Sequence, residues 1–258
     1  MTAENMSALQ HPISGIVVVV LVDYLRQHQA WGWLRLMGGG RALQGVPGLT
    51  FAKVMGSGHA GGFSLRPSAS HQGLICCFDG WTSAVNFLNE PLMRQLREKA
   101  REWWHGFFAV QSARGAWDQQ TWDITPAQAL ADMPPASAPN DMLAVLTRAS
   151  IKPAKAMAFW RFAPGAQADL EQAQGCEIAM GLGEAPLLRQ CTFSLWQDLD
   201  CMQRYAHHDA HQQAIEAAYR HQFFSESLFV RMRLLSMQGN WKGHAHEYHA
   251  QPLHEAAA

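Results

Sequence analysis

Charge is scarce in this chain, and so are the residue pairs that usually mark a metal or nucleotide site. Only 16% of its 258 residues are Asp, Glu, Lys or Arg, and the formal net charge is −1. Without a basic excess, nothing electrostatic favours nucleic acid as a partner. The five cysteines form no CxxC pair, and Cys76 and Cys77 are adjacent, so on a strand they face opposite ways. An odd count without a framework argues against a secreted disulfide scaffold and for a reducing compartment. The apolar run 16–22 is far too short to span a bilayer, and no basic region precedes it, so a cytoplasmic protein is expected. GxSxG, Walker and HExxH motifs are missing, which removes support from hydrolase, nucleotide and simple zinc chemistry.

What the chain does have is apolar bulk and a repeat. Hydrophobic residues make up 48%, with ten tryptophans, twelve phenylalanines and twelve methionines. These fill a core or line a large apolar site. Segment 49–117 runs as strand, Gly56-Ser57-Gly58 turn, strand, helix and strand, closing on Gly115-Ala116-Trp117. Segment 176–241 repeats that order through Gly181-Leu182-Gly183-Glu184 and closes on Gly239-Asn240-Trp241. Phe78 aligns with Trp196 and Phe87 with Tyr205, and the unit is too large for a solenoid repeat. The β-branched run 16–22 predicts a strand buried on both faces. Trp31, Leu34, Met37 and Leu43 recur at roughly helical spacing after it. The fold class expected is α+β: two tandem ferredoxin-like (βαββαβ) halves, 15–117 and 141–243, joined by a Pro- and Ala-rich linker, 118–140. Within them a helix is expected over 82–100, strands over 104–112 and 228–237, and a long helix over 199–221. Residues 1–14 read as a loose leader and 244–258 as a frayed tail.

Three places could carry chemistry. On the helix after Tyr205, His211 shares a face with Ile215 and Ala218 at i, i+4 and i+7, so it should project inward. A neutral imidazole there could ligate a metal or haem iron. A His207/His211 zinc pair is the weaker option, and a histidine satisfied in the core or on a solvated surface is the rival reading. Gly56–Phe63 is glycine-rich but does not open a helix, so it is no dinucleotide loop. It could pack closely on a flat ligand, with Arg66 meeting a carboxylate, or be a plain connector. Arg148 lies in an otherwise uncharged strand on the face of Leu146 and Ser150. It could meet a carboxylate or organise oxygen, or be a buried ion pair with Glu177 or Glu184.

Taken in order, Gly56-Ser57-Gly58 with Gly62-Phe63 and Arg66-Pro67, Val145-Leu146-Thr147-Arg148-Ala149, Gly181-Leu182-Gly183-Glu184, Phe193-Ser194-Leu195-Trp196, His211 with Ala214-Ile215, and Gly239-Asn240-Trp241 resemble the spheroidene monooxygenase family. The resemblance spans about 49–241. It departs in the glycine loop, where Ala60-Gly61 and Ser64-Leu65 replace the family's Gly-Glu and Thr-Pro, a difference bearing on substrate identity. It implies an oxygen-dependent monooxygenase that binds haem iron and draws electrons from a ferredoxin-type donor. The implied substrate is an acyclic, spheroidene-like carotenoid, oxidised to a ketone. It also implies a dimeric α+β barrel-like arrangement; a homo-oligomer and a peripheral membrane contact belong with it. On this reading His211 is the axial ligand, with Ile215 and Trp196 beside the macrocycle and His207, His208 and His105 the next ligands in line. Arg148 and Arg66 are propionate partners, and Arg148 and His59 are the catalytic candidates. The rivals are a cofactor-free monooxygenase of the same barrel type and a non-catalytic haem- or lipid-binding protein.

Overall fold

The run that opens the sheet, β1 (Ile16–Tyr24), is buried at every residue, as its β-branched composition predicts. Val17, Val19 and Leu21 face one core, while Ile16, Val18, Val20 and Val22 face another. The computed structural model describes residues 12–134, 140–161, 170, 172–185, 187–207 and 220–248. After β1 come α1 (Gln29–Gly38), β2 (Leu49–Gly58), β3 (Pro67–Phe78), α2 (Trp81–Phe87), α3 (Pro91–Lys99) and β4 (Ala100–Trp117). A two-residue strand, β5 (Gln120–Thr121), turns back on β4. The second half has β6 (Leu143–Ile151), β7 (Cys176–Ala185), β8 (Arg189–Trp196), α4 (Leu199–Ala206), β9 (Phe224–Trp241) and β10 (His244–Tyr248). Residues 156–161 are also helical.

Eight of these strands close an antiparallel barrel within one chain, in the order β2-β3-β1-β4-β9-β6-β8-β7 and back to β2. One closing seam is short, with Gly56 opposite Gly183 and Ser57 opposite Leu182, and Ser57 Oγ donating to Gly181 O at 2.5 Å. The other joins β4 to β9 from Trp104↔Gly239 to Gly115↔Leu228. The paired Gly-x-Trp motifs explain this long seam. Gly115 and Gly239 adopt φ of 97° and 135°, and a Cβ would fall 2.0 Å from Ser227 O and 2.1 Å from Trp103 O. Only glycine permits that approach. Trp117 and Trp241, two residues on, are buried in the barrel core beside Phe108, Phe193 and Met232.

Each long strand then enters a tight turn whose central residues have positive φ, Asp118-Gln119 and Lys242-Gly243. Each turn's amides are held by a carboxylate from the other half. Glu226 accepts from the amides of Asp118 and Gln119, and Glu102 from those of Lys242 and Gly243.

Some expectations are corrected. The expected tail 244–258 contributes β10, paired with β9 from His244↔Trp241 to Tyr248↔Met237, because Lys242-Gly243 is a hairpin turn. The helix expected over 82–100 is two, since Pro91 starts α3 at a position where its missing N–H costs nothing. Strands β4 and β9 each run to 18 residues, longer than their apolar centres. Ile13 of the expected leader bridges to Trp122, which stacks on Trp117 at 6.3 Å, so segment 118–134 packs on the barrel end. Of the long helix expected over 199–221, α4 covers 199–206, residues 220 and 221 are helical, and 208–219 lie outside the described residues.

Candidate functional site

The outer face of the second half's sheet is assembled from residues two apart on each strand. Cross-strand pairing sets Phe229, Thr147, Thr192 and Gly181 in one row, and Arg231, Val145, Ser194 and Ala179 in the next. Apart from Phe229 and Arg231 the side chains are small, and the row through Thr147 is the more exposed. Phe229 is 39% exposed, Thr147 is exposed and Thr192 is half-buried. Arg231 is half-buried, and its Nε is buried with no hydrogen-bond partner among the described residues. A buried donor left unpaired is costly, so this atom is poised for an acceptor.

Three elements frame the face. Trp196 closes one end, donating from Nε1 to Ser194 Oγ at 2.9 Å and packing on Tyr205 of α4 at 5.3 Å. The helical segment 156–161 brings Trp160, which meets Phe63 at 5.8 Å. Phe63 belongs to the glycine loop of the first half, which lies close against β7. A Cβ on Gly181 would be 2.8 Å from both Gly62 O and the Phe63 ring. The loop therefore crosses from one half to the other, pinned by His59 N donating to Arg66 O at 2.8 Å.

Arg148 projects the other way. It shares the inner face with Leu146 and is only 1% exposed at the barrel mouth. It pairs with Glu226, with Asp118 at 3.3 Å and with Glu184 at 3.5 Å, and lies over the Trp117 ring at 5.6 Å. Trp117 Nε1 donates to Glu184 at 2.8 Å, and Lys53 and Arg189 complete a cluster of three cations and three carboxylates. Burial alone would raise the Asp118 carboxyl. The Lys53 hydrogen bond and the charges of Lys53, Arg148 and Arg189 outweigh it and hold it below the ordinary range. Of the two ion-pair partners anticipated for Arg148, Glu184 is present; Glu177 instead accepts from Gln197 at 2.5 Å.

The expected site residues thus divide. Trp196 lies on the outer face, and His59 and Arg66 sit in the crossing loop with both side chains exposed. Arg148 is on the opposite side of the sheet from Trp196, so these two do not line one flat ligand. His207 is exposed at the end of α4, while His208, His211 and Ile215 lie outside the described residues. His105 is buried at β4, accepting from Trp103 Nε1 at 3.2 Å. Arg231 was missed, although two arginines two apart in Val230-Arg231-Met232-Arg233 already placed both on one strand face.

Comparison with known proteins now adds the decisive observation. The chain is 44% identical over 230 residues to spheroidene monooxygenase of Rubrivivax gelatinosus, covering 88% of this chain and 85% of that one. The chain belongs to the spheroidene monooxygenase family. It is a monooxygenase, and therefore an oxidoreductase. The Rhodobacter capsulatus spheroidene monooxygenase is 34% identical over 79% of this chain and 83% of its own. No family model matches. Among solved structures, an aldoxime dehydratase superposes with a TM-score of 0.57 at 12% identity, covering 93% of this chain and 86% of that one. A second aldoxime dehydratase, in complex with butyraldoxime, gives 0.50 at 10% identity over 87% and 81%. At such identities the likeness concerns the fold alone. Among the described residues no helix is long and apolar enough to cross a membrane, and no group of three His, Cys, Asp or Glu is arranged to hold a metal ion.

Proposed function

We propose that this monooxygenase is haem-dependent and oxidises an acyclic, spheroidene-like carotenoid to a keto-carotenoid. It would use O2 and electrons from a ferredoxin-type partner. The observation that carries the reading is the outer face of the second half, where Thr147 and Phe229 are exposed and Arg231 Nε has no partner among the described residues. A porphyrin asks for a flat bed, a cation for its carboxylates and one imidazole. Thr147 and Thr192 supply small side chains for the bed, and Arg231 supplies the cation. His211, five residues beyond the end of α4, is the proposed ligand. Bound there, haem would supply the oxygen activation that no side chain in the chain offers.

The protein's own contribution is binding and shielding. Arg231 would fix orientation by a charge-assisted hydrogen bond. Phe63 and Trp160 keep water from the loop edge, and Phe229 gives a linear polyene an apolar surface. Turning a methylene into a ketone takes two oxidations at one carbon, so the chain end must stay seated or return in the same register. We also read the two four-strand units as ferredoxin-like repeats. Support comes from their identical strand order, β2-β3-β1-β4 against β7-β8-β6-β9.

The test is the absorption spectrum of the purified chain after haem addition, beside that of His211→Ala. A Soret band that is lost or shifted in the variant is expected. No band in the parent chain overturns haem dependence, and an unchanged band in the variant moves the ligand to another residue.

A further inference from the structure

Helix α1 is apolar on both sides. Its inward side carries Gly32, packed so closely on Tyr24 that a Cβ would lie 2.5 Å from the ring, together with Trp31 and Leu36. Arg35 flanks that side, lying over Trp31 at 5.1 Å and donating to Gln95 at 3.5 Å. The outward side is apolar as well. Ala30, Trp33, Leu34 and Met37 recur at i, i+3, i+4 and i+7, with Trp33 38%, Leu34 68% and Met37 76% exposed. An ordinary surface helix buries such a stripe and shows its polar side to water. A contiguous outward stripe of this kind marks a contact surface.

Charge around the stripe says which contact. Between Asp23 and Asp79 there is no acidic residue at all; Arg26, Arg35 and Arg41 are the basic residues on α1 and its flanks, while Lys53 is paired at the barrel mouth and Arg66 lies in the glycine loop. This holds in a chain whose net charge is −1, so the remainder is distinctly acidic. Arg26, Arg35 and Arg41 are exposed on α1 and its flanking turns. The neighbouring α3 adds Arg94, Arg97 and Lys99, with Lys99 also over Trp31 at 5.1 Å, against Glu90 and Glu98. Exposed Trp and Leu on one helix side with arginines around it is the composition of a helix lying in a bilayer interface. We propose that the outward side of α1 docks on the surface of an anionic lipid bilayer. The proposal stands on α1 itself. It leans on the carotenoid reading only for its purpose, since an apolar polyene is dissolved in the membrane and docking would bring the enzyme to it.

The experiment is co-sedimentation of the full chain with vesicles of phosphatidylcholine plus phosphatidylglycerol, and with phosphatidylcholine alone. Binding to the anionic vesicles, weakened by salt, is expected. Leu34→Glu/Met37→Glu should abolish it, and Arg26→Glu/Arg41→Glu should weaken it more than tenfold, at about fivefold per cationic group removed. All four positions are exposed, and circular dichroism with a melting curve confirms that the variants fold. No binding, or binding indifferent to Leu34→Glu/Met37→Glu, overturns the proposal. So does a parent dimer that ignores vesicles and dissociates on the same substitutions, since the stripe would then be covered by a second copy. The vesicles contain no carotenoid and no turnover is read, so loss of docking and loss of the oxygenase reading are separable outcomes.

Discussion

The two halves of the barrel share a strand order but finish their outer faces differently. On the first half's outer face, eighteen buried residues form one cluster, fifteen of them from β1, β3, β4, α2 and α3 and the others Leu43, Ala129 and Leu235 of β9, with Phe78, Phe87, Met93 and Leu96 among them. In the second half, the corresponding cluster among the described residues has six, and Thr147, Phe229 and Arg231 are left outside it. Among the described residues, the first half's outer face carries this layer, while Thr147 and Phe229 on the second half's outer face are exposed. Two halves of one strand order thus meet two demands that conflict in a single sheet, dense packing and exposed positions.

The sharpest way to break this comparison is to truncate the aligned aromatics. Phe87 is fully buried against Phe78 at 5.0 Å, whereas Tyr205 is half-buried against Trp196 at 5.3 Å. Phe87→Ala should cost about 3–5 kcal/mol and Tyr205→Ala about 1–2 kcal/mol in urea unfolding. Equal losses would mean that both outer faces are packed alike.

A second comparison lies inside the barrel. Leu21 sits opposite Trp104, which pairs with Gly239; Arg148 sits opposite Leu228, which pairs with Gly115. Arg148 therefore occupies the place that Leu21 holds in the first half. Arg148→Leu makes the halves alike at that point but strands Glu184, Glu226 and Asp118 without their buried cation. A loss of about 3 kcal/mol at neutral pH is expected, partly recovered by adding Glu226→Gln. A neutral Arg148→Leu would show that the cluster contributes nothing to stability.

How much of this was legible depends on the range of the interaction. β1 was readable because β-branching along its length states burial on both faces. The Gly-x-Trp pairs were readable as a repeat, and the seam they permit follows from glycine's missing Cβ. Periodicity found α1 but cannot say which side faces in, so the outward turn of Leu34 and Met37 needed coordinates. Arg148's partners come from the β4–β5 turn, β7 and β9, up to 78 residues away, and no local pattern joins them. Arg231 was hidden because an arginine alternating with apolar residues ordinarily reads as a solvated strand face. The proposed ligand His211 lies outside the described residues, so its inward projection stays with the sequence argument.

The smallest expected effect concerns the two barrel mouths. His71 pairs with β1 at Asp23, and the matching position of the second half, opposite Ser150, is Arg189. Burial pushes the His71 imidazole below the ordinary histidine value. Asp23, 3.7 Å away, and Glu102 raise it only in part, and Arg101 and Lys242 lower it. The unfolded chain therefore takes up this proton first as pH falls. Stability from His71 is present above about pH 6.5 and drains away below it. At the other mouth an arginine, Arg189, stands at that position. Asp118, held low in the folded state, contributes above about pH 4 and loses that contribution as pH falls through its folded value. Melting temperature against pH should accordingly show two acid limbs. His71→Gln should flatten the upper one, leaving the share of His246, which burial also holds low. Lys53→Met should flatten the lower one. If His71→Gln tracks the parent between pH 5 and 6.5, in the range set by an ordinary imidazole, the two mouths do not differ in the way their residues imply.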